Sequence, residues 1–364
     1  HRLNPPTAQV IDDLLALIYR QRQLLEFACN QDQFDESVLR ADLGDQFAGW
    51  ILRHSDLSNS LNQLLSCVQA DKAKVLADFD HDQNFWDQMD DSTFKFAFSL
   101  DKSTAHKKAK ECLNFFYGAI SATGPLFPTP KQFKRADIIN GYVETNPLLR
   151  FICPCCDGNW PELSGKDKTP YTLEHFFHKE AHPTICLHPF NLIPMCEVCN
   201  SRRGDKEVLE TAPGIQVGAH KIFHPLFRPA KEKVELQYYS PDLRPERLQF
   251  VNLPTQLDDW REAIAVYDRL YEIPQRWQER WDEIDSVISI QLRTALEAHR
   301  YMQQTPLSLI DFERLLGGII KSLNEHNGRY QYVAQRWLVW AKQYYLERLY
   351  EAHVTARSFT YSPH

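Results

Sequence analysis

The chain lacks the features that mark several classes of protein. No apolar run among its 364 residues approaches the ~20 residues that a membrane-spanning helix needs. No signal peptide, internal repeat or low-complexity tract is visible. Hydrophobic residues make up 43% and charged residues 24%, which is ordinary for a folded globular protein. We therefore expect a folded protein without a membrane segment, with the cytoplasm as its default location.

The nine cysteines are too few and too clustered for a disulfide scaffold in a chain of this length. Four of them form two Cys-x-x-Cys pairs, Cys153/Cys156 and Cys196/Cys199, with 39 residues between the pairs. A two-residue spacer lets two thiolates of one turn reach one ion, and a structural Zn²⁺ takes four such ligands. Cys155 makes the first pair ambiguous, but Cys153 and Cys156 keep the spacing. The pattern predicts a four-thiolate zinc site, with a set of free core thiols as the alternative.

The chain also lacks an overall basic charge, since its formal net charge is −7. By itself this argues against a nucleic-acid partner, which needs clustered Lys and Arg. The distribution changes that interpretation. Residues 1–91 hold 7 basic and 16 acidic side chains, whereas residues 92–150 hold 9 basic and 4 acidic. The basic residues in and beside this segment that are candidates for contacting a nucleic-acid backbone are Lys107, Lys108, Lys110, Lys131, Lys134 and Arg135.

Helical periodicity dominates both ends of the chain. Apolar stripes begin at Val10 and Leu57 in the N-terminal part and at Trp277 and Tyr330 in the C-terminal part. Partial alternation over 234–251 predicts one or two strands around a turn. Three prolines in 124–130 predict a linker. We expect an α+β, predominantly α-helical fold with three regions, whose bounds are 1–130 (N-terminal helical), 131–252 (motif-bearing) and 253–364 (C-terminal helical).

Residues between and just after the cysteine pairs have side chains that can act as a base or as metal ligands. Glu174-His175 follows an extended-looking Pro-Tyr-Thr-Leu segment, Asn191 lies in Pro-Phe-Asn-Leu-Ile-Pro, and Asn200 follows Cys199 directly. Phosphodiester cleavage needs an activated water and neutralisation of phosphate charge. A neutral imidazole can take the proton of that water, which makes His175 the candidate base. A hard divalent cation prefers oxygen ligands, which Glu174 and Asn200 could supply.

This order of motifs resembles the HNH endonuclease superfamily. It is similar in particular to bacterial HNH proteins with Cys-x-x-Cys, Asp/Glu-His, Pro-x-Asn-Leu-x-Pro, Cys-x-x-Cys-Asn and Lys/Arg-Gly elements, and it covers roughly residues 150–230. The resemblance implies a ββα-metal core with a four-cysteine zinc site, embedded between the N- and C-terminal helical regions. It further implies His175 as general base, Glu174 and Asn200 as ligands of a catalytic Mg²⁺ or Mn²⁺, and Asn191 as the residue that supports the loop and orients the histidine.

The expected activity is metal-dependent hydrolysis of DNA, with nicking as its minimal form. Arg202, Arg203 and Lys206 follow Asn200 and are candidate phosphate contacts. His178, His182 and His188 stay open as additional ligands or as structural residues. The alternatives are a zinc-ribbon nucleic-acid-binding or scaffold protein with an inactive nuclease core, and an RNA-cleaving HNH enzyme. The resemblance also makes bacterial phage defence plausible, with an ATPase or sensor protein as a partner.

Overall fold

The computed structural model describes residues 2–121, 133–150, 152–158, 172–230, 233–239, 243–253, 259–303, 307–325 and 330–355. These residues are mostly helical, with small two-stranded antiparallel sheets. The expectation of an α+β, predominantly helical fold is therefore confirmed. The predicted linker at 124–130 lies outside the described residues. Within the described parts of the chain, no helix combines the length and apolar character needed to cross a membrane.

The chain divides into two compact units. The N-terminal unit consists of Leu3–Pro147 and Leu163–Ile222, and the C-terminal unit consists of His1–Arg2, Leu148–Glu162 and Phe223–His364. The division into regions 1–130, 131–252 and 253–364 stays a prediction.

The N-terminal unit contains most of the motif block together with the N-terminal helices. Its helices are α1 (Ala8–Asn30), α2 (Glu36–Leu43), α3 (Asp45–Arg53), α4 (Ser55–Leu65), α5 (Gln69–Gln83), α6 (Ala97–Leu100), α7 (Thr104–Ser121), α8 (Arg135–Thr145) and α9 (Glu197–Arg203). Its strands are β1 (Thr172–His175), β2 (Leu192–Met195), β3 (Glu210–Ala212) and β4 (Ile215–Gln216). β1 pairs with β2 and β3 pairs with β4, both antiparallel.

The apolar stripes predicted in α1 and α4 are buried, which confirms both helices. The buried positions are Val10, Leu14, Leu17, Ile18, Leu24 and Leu25 in α1, and Leu57, Leu61, Leu64 and Leu65 in α4. Positions three and four apart share one side of a helix, so each helix can bury a single face.

Aromatic packing joins the segment after β1 to the N-terminal part of the chain. The Phe177 ring lies 5.0 Å from that of Phe85 and 5.4 Å from that of Phe96, measured between centroids. Gln83 donates a hydrogen bond of 2.5 Å to the Thr184 carbonyl. The segment between β1 and β2 is therefore held by residues that precede α7.

The C-terminal unit is a hairpin with helices. β5 (Val234–Tyr239) pairs antiparallel with β6 (Arg247–Asn252), which confirms the predicted strands around a turn. The helices are α10 (Arg261–Tyr271), α11 (Ile273–Glu279), α12 (Trp281–Gln303), α13 (Leu309–Glu325) and α14 (Gln331–Tyr350). The stripe from Trp277 to Leu296 is buried as predicted, and so are Tyr330, Val333 and Trp337, whereas Tyr344 is exposed.

Candidate metal centre and catalytic residues

Four buried cysteines form a cluster that can hold a metal ion such as zinc. They are Cys153, Cys156, Cys196 and Cys199, and their sulfur atoms all lie within 4.8 Å of one another. Four thiolates around one point match the donor set of a structural tetrahedral zinc site. Cys155 is not in this cluster. Its sulfur lies 3.6 Å from the Tyr267 hydroxyl.

A tight turn shapes the first cysteine pair. The Cys153 N–H donates to the Gly158 carbonyl and the Asp157 N–H donates to the Cys153 carbonyl, each over 3.0 Å. A Cβ at Gly158 would lie 3.2 Å from the Cys156 sulfur, which is tighter than ordinary contact. Glycine therefore leaves room for that sulfur.

This turn belongs to the C-terminal unit, and residues of that unit's helices and of the loops beside them hydrogen-bond to it. Tyr267 donates its hydroxyl hydrogen to the Cys155 carbonyl, and Trp277 donates its indole N–H to the Cys156 carbonyl, each over 2.8 Å. Asp157, with φ +54°, accepts from the Tyr332 N–H over 2.9 Å. These bonds satisfy backbone groups that a buried turn would otherwise leave unpaired.

The second cysteine pair opens α9. The Cys196 sulfur accepts a hydrogen bond from the Cys199 N–H over 3.4 Å, at the N-cap position of the helix. Such a bond favours a sulfur that carries negative charge, because hydrogen bonding to the charged form stabilises it. A thiolate is the form that a metal binds.

The segment around the second pair forms a hairpin and a helix. Glu174 and His175 of β1 lie opposite Ile193 and Leu192 of β2, and α9, which begins two residues after β2, contacts β1.

Glu174 is bound by Arg203 of α9. The Arg203 guanidinium donates through Nη1 to the Glu174 carboxylate and through Nη2 to the Phe176 carbonyl, the latter over 2.7 Å. The Arg203 side chain has no exposed surface, and that of Glu174 is 13% exposed. Arg203, a predicted phosphate contact, is thus engaged with Glu174 inside the unit, and its role towards phosphate stays a prediction.

His175 is buried next to α7. Its imidazole meets the Tyr117 ring edge-on, with 4.1 Å between centroids. Its Nε2 atom is buried and has no hydrogen-bond partner among the described residues. Burial lowers the pKa of His175 to about 3, and the charges of Lys179 and His178 act in the same direction. The ring is therefore neutral at pH 7, the protonation state in which an imidazole can accept a proton.

Asn200, like His175, has a polar side-chain atom that is buried. It lies on α9, three positions before Arg203, so the two side chains share one side of the helix. Its Oδ1 atom is buried and has no hydrogen-bond partner within the described part of the chain. A buried carbonyl oxygen without a partner is unusual and is an oxygen of the type that divalent cations bind.

Asn191 bridges both ends of the loop between β1 and β2. Its Oδ1 accepts from the Phe177 N–H over 2.6 Å. Its Nδ2 donates to the carbonyls of Phe177 and Ile185, each over 3.1 Å. The side chain is fully buried. Asn191 therefore fixes the chain immediately after His175, as a loop-supporting residue would.

The other histidines of the block have protein partners. His178 lies 3.3 Å from the Asp205 carboxylate, and His182 lies 3.5 Å from that of Glu207. His188 stacks on Trp86 and accepts a 3.3 Å hydrogen bond from the Phe190 N–H through Nδ1. Burial lowers the pKa of His188 to about 3.

The remaining basic candidates occupy different environments. Arg202 is exposed and Lys206 is half-buried. Lys108 pairs with Glu111 at 3.0 Å and Lys110 pairs with Glu180 at 3.0 Å. Lys131 lies outside the described residues.

Two residues next to the candidate base belong to no sequence motif. Tyr117 comes from α7, far from the motif block in sequence, and Lys179 is a single lysine in the turn after β1. Nothing in the local pattern distinguishes either residue. Their place beside His175 is a result of tertiary packing.

Comparison of the chain with protein-family models, with curated proteins and with solved structures finds no match.

Proposed function

We propose that the chain is a metal-dependent endonuclease of the HNH type that hydrolyses DNA phosphodiester bonds, with nicking of one strand as its minimal activity. The observation that carries this proposal is the sequence β1–β2–α9, which bears Glu174 and His175 on a strand and Asn200 on a helix that contacts that strand. The proposal also uses the resemblance of the motif order to HNH enzymes.

Two orphaned polar atoms support the proposal. His175 Nε2 and Asn200 Oδ1 are buried without hydrogen-bond partners among the described residues. A buried polar atom that lacks a partner costs free energy unless a ligand, ion or water satisfies it. In a nuclease, a water molecule could satisfy the base nitrogen and a divalent ion could satisfy the amide oxygen.

In the proposed reaction, His175 takes a proton from the attacking water, and the water oxygen forms a bond to phosphorus. The bond from phosphorus to the 3′ oxygen breaks, and that oxygen takes a proton from solvent water to leave as a hydroxyl. Mg²⁺ or Mn²⁺ would supply charge neutralisation at the phosphate and at the leaving oxygen. Asn200 and Glu174 would hold the ion, and Asn191 keeps the loop after His175 in place.

The metal in the four-cysteine cluster is, in this proposal, a structural Zn²⁺. Both pairs contribute two thiolates and leave no position for a water, which is typical of closed zinc sites. The zinc would organise the start of α9, because Cys196 is its N-cap residue and Cys199 lies in its first turn. A role in phage defence with an ATPase or sensor partner stays a prediction.

A second candidate is a zinc-dependent nucleic-acid-binding or scaffold protein with an inactive nuclease core. The bond from Arg203 to Glu174 favours it, since a carboxylate engaged by a buried guanidinium is less available to a metal ion. This candidate predicts binding without turnover.

A digest of supercoiled DNA, linear duplex DNA and single-stranded RNA, each with Mg²⁺ or Mn²⁺ and then with EDTA, tests the proposal. Nicking that EDTA stops and that is lost in His175→Ala and Asn200→Ala supports the nuclease. RNA cleavage alone would redirect the assignment to an RNA-cleaving HNH enzyme. DNA binding without cleavage in either metal would support the second candidate.

A matched control is His299→Ala. His299 lies on α12 of the C-terminal unit, outside the motif block. We expect this variant to cut at the parental rate, with all variants showing parental circular-dichroism melting curves. Full activity in His175→Ala would refute the assignment of His175 as base.

A further inference from the structure

Lys179 lies four residues after His175, in the turn that follows β1. Its ammonium nitrogen is 5.2 Å from the centroid of the Tyr117 ring. The same ring contacts the His175 imidazole edge-on at 4.1 Å. Tyr117 therefore contacts both the Lys179 ammonium and His175, the candidate base.

The charged residues on both sides of Lys179 already have partners of opposite charge or hydrogen-bonding partners. His178 lies 3.3 Å from Asp205. Glu180 pairs with Lys110 at 3.0 Å and accepts from Asn114 at 3.2 Å. Within the described part of the chain, Lys179 has the Tyr117 ring as its partner and no carboxylate.

Two carboxylates of the motif block have partners other than Lys179. Glu174 is bound by Arg203, and Glu207 faces His182. Lys179 is half-buried, so part of its hydration is lost, and a cation–π contact replaces only some of it. The surroundings of His175 thus retain a positive potential that a bound anion would neutralise.

We propose that Lys179 binds the phosphate group on which His175 acts. This inference rests on the proposed nuclease function and names the residue that recognises the substrate's charge. The ammonium faces a nonbridging phosphate oxygen and stabilises the negative charge that builds up as water adds to phosphorus. Tyr117 keeps the ammonium on the side of β1 where His175 lies.

The test uses the full-length protein with three variants, Lys179→Gln, Lys179→Arg and Lys102→Gln. Lys102 is an exposed lysine of the same unit whose ammonium donates to the Ser99 carbonyl. We expect Lys179→Gln to nick plasmid about a hundredfold more slowly, the size of effect seen when one stabilising donor is removed. Lys179→Arg should recover part of the rate because it keeps the charge, and Lys102→Gln should match the parent.

A second measurement separates this inference from the nuclease proposal. Binding of a labelled DNA duplex, in a chelator-free buffer without added Mg²⁺ or Mn²⁺, is followed by fluorescence anisotropy at several salt concentrations. Loss of one phosphate contact should reduce the slope of log K against log salt by about 0.9 for Lys179→Gln alone.

If the parent nicks and Lys179→Gln nicks equally fast, the inference about Lys179 is refuted while the nuclease stands. If the parent does not nick in any metal, the nuclease proposal fails, and the salt slope then tests whether Lys179 binds phosphate. An unchanged slope in Lys179→Gln refutes phosphate binding by Lys179. A slope reduced only in that variant supports Lys179 as a phosphate contact.

Discussion

Arg203, a side chain with no exposed surface, donates a hydrogen bond through Nη1 to the carboxylate of Glu174. Its second nitrogen donates to the Phe176 carbonyl over 2.7 Å. One guanidinium therefore ties α9 to β1 and to the residue after His175. This contact sets the relative position of the strand and the helix that carry the candidate site.

A double-mutant cycle on this pair measures its strength. Arg203→Met leaves the mostly buried Glu174 carboxylate uncompensated, and we expect a loss of about 3–5 kcal/mol in the free energy of unfolding. Arg203→Met/Glu174→Gln removes that charge as well, so it should lose clearly less than the sum of the two single variants. Urea unfolding followed by circular dichroism gives the four values. Strict additivity would show that the two side chains are not coupled.

Asn191 should contribute strongly to the stability of the loop between β1 and β2. Asn191→Ala removes three buried hydrogen bonds to backbone groups of Phe177 and Ile185. We expect a loss of about 2–4 kcal/mol, since buried backbone groups are left unsatisfied. Asn62→Ala, at an exposed position of α4, is the control and should change stability little. Equal unfolding midpoints for the two variants would contradict the bridging role.

Metal analysis tests the four-cysteine cluster. We expect about one zinc per chain by plasma mass spectrometry, retained in Cys155→Ala and lost in Cys199→Ser, because Cys155 is outside the cluster. Removing zinc with a chelator should destabilise the protein. With free zinc at about a thousandfold its Kd, mass action alone corresponds to about 4 kcal/mol. A chain that purifies without metal and melts identically with and without zinc would rule out a structural zinc site.

Asp82 should make stability depend on pH. Burial raises the pKa of Asp82 to about 6, although hydrogen bonds from Thr184 and the Ala97 N–H and the charges of His182 and His81 oppose the shift. A raised pKa means that the folded state holds the proton more tightly than the unfolded state. Stability should therefore fall as pH rises from about 4 to about 6, by up to about 3 kcal/mol.

The variant Asp82→Asn isolates this effect. Its side chain stays neutral, so the decline between pH 4 and pH 6 should become shallower than in the parent. Asp12→Asn, at an exposed position of α1, is the control. Urea unfolding at half-unit pH steps gives the comparison, and parallel curves for parent and Asp82→Asn would show that Asp82 ionises normally.

Much of the helical part could be predicted from periodicity. The stripes of α1, α4, α11 and α12 are buried as expected, because a helix that packs on one side needs apolar residues three and four positions apart. The strands β5 and β6 followed from alternation, which has the two-residue period of a pleated sheet.

The environment of Arg203 could not be predicted in this way. The pair Arg202-Arg203 followed by Lys206 is typical of a solvated or phosphate-binding face, and the structure exposes Arg202 but buries Arg203 against Glu174. Adjacent helix positions point about 100° apart, so one arginine of a pair can face the interior. Which one does so depends on how α9 lies on β1.

The sequence by itself determined the features that depend on neighbouring residues. These are the helical stripes, the two Cys-x-x-Cys spacings and the order of Glu174-His175, Asn191 and Asn200. Only the tertiary structure decided the contacts between distant segments: Arg203 on Glu174, Tyr117 beside His175, and Lys179 over Tyr117. The physical reason is that the spacing of residues along the chain fixes which side chains share one helix turn or one strand face. Partners that are distant in sequence are selected by the packing and burial of the whole unit.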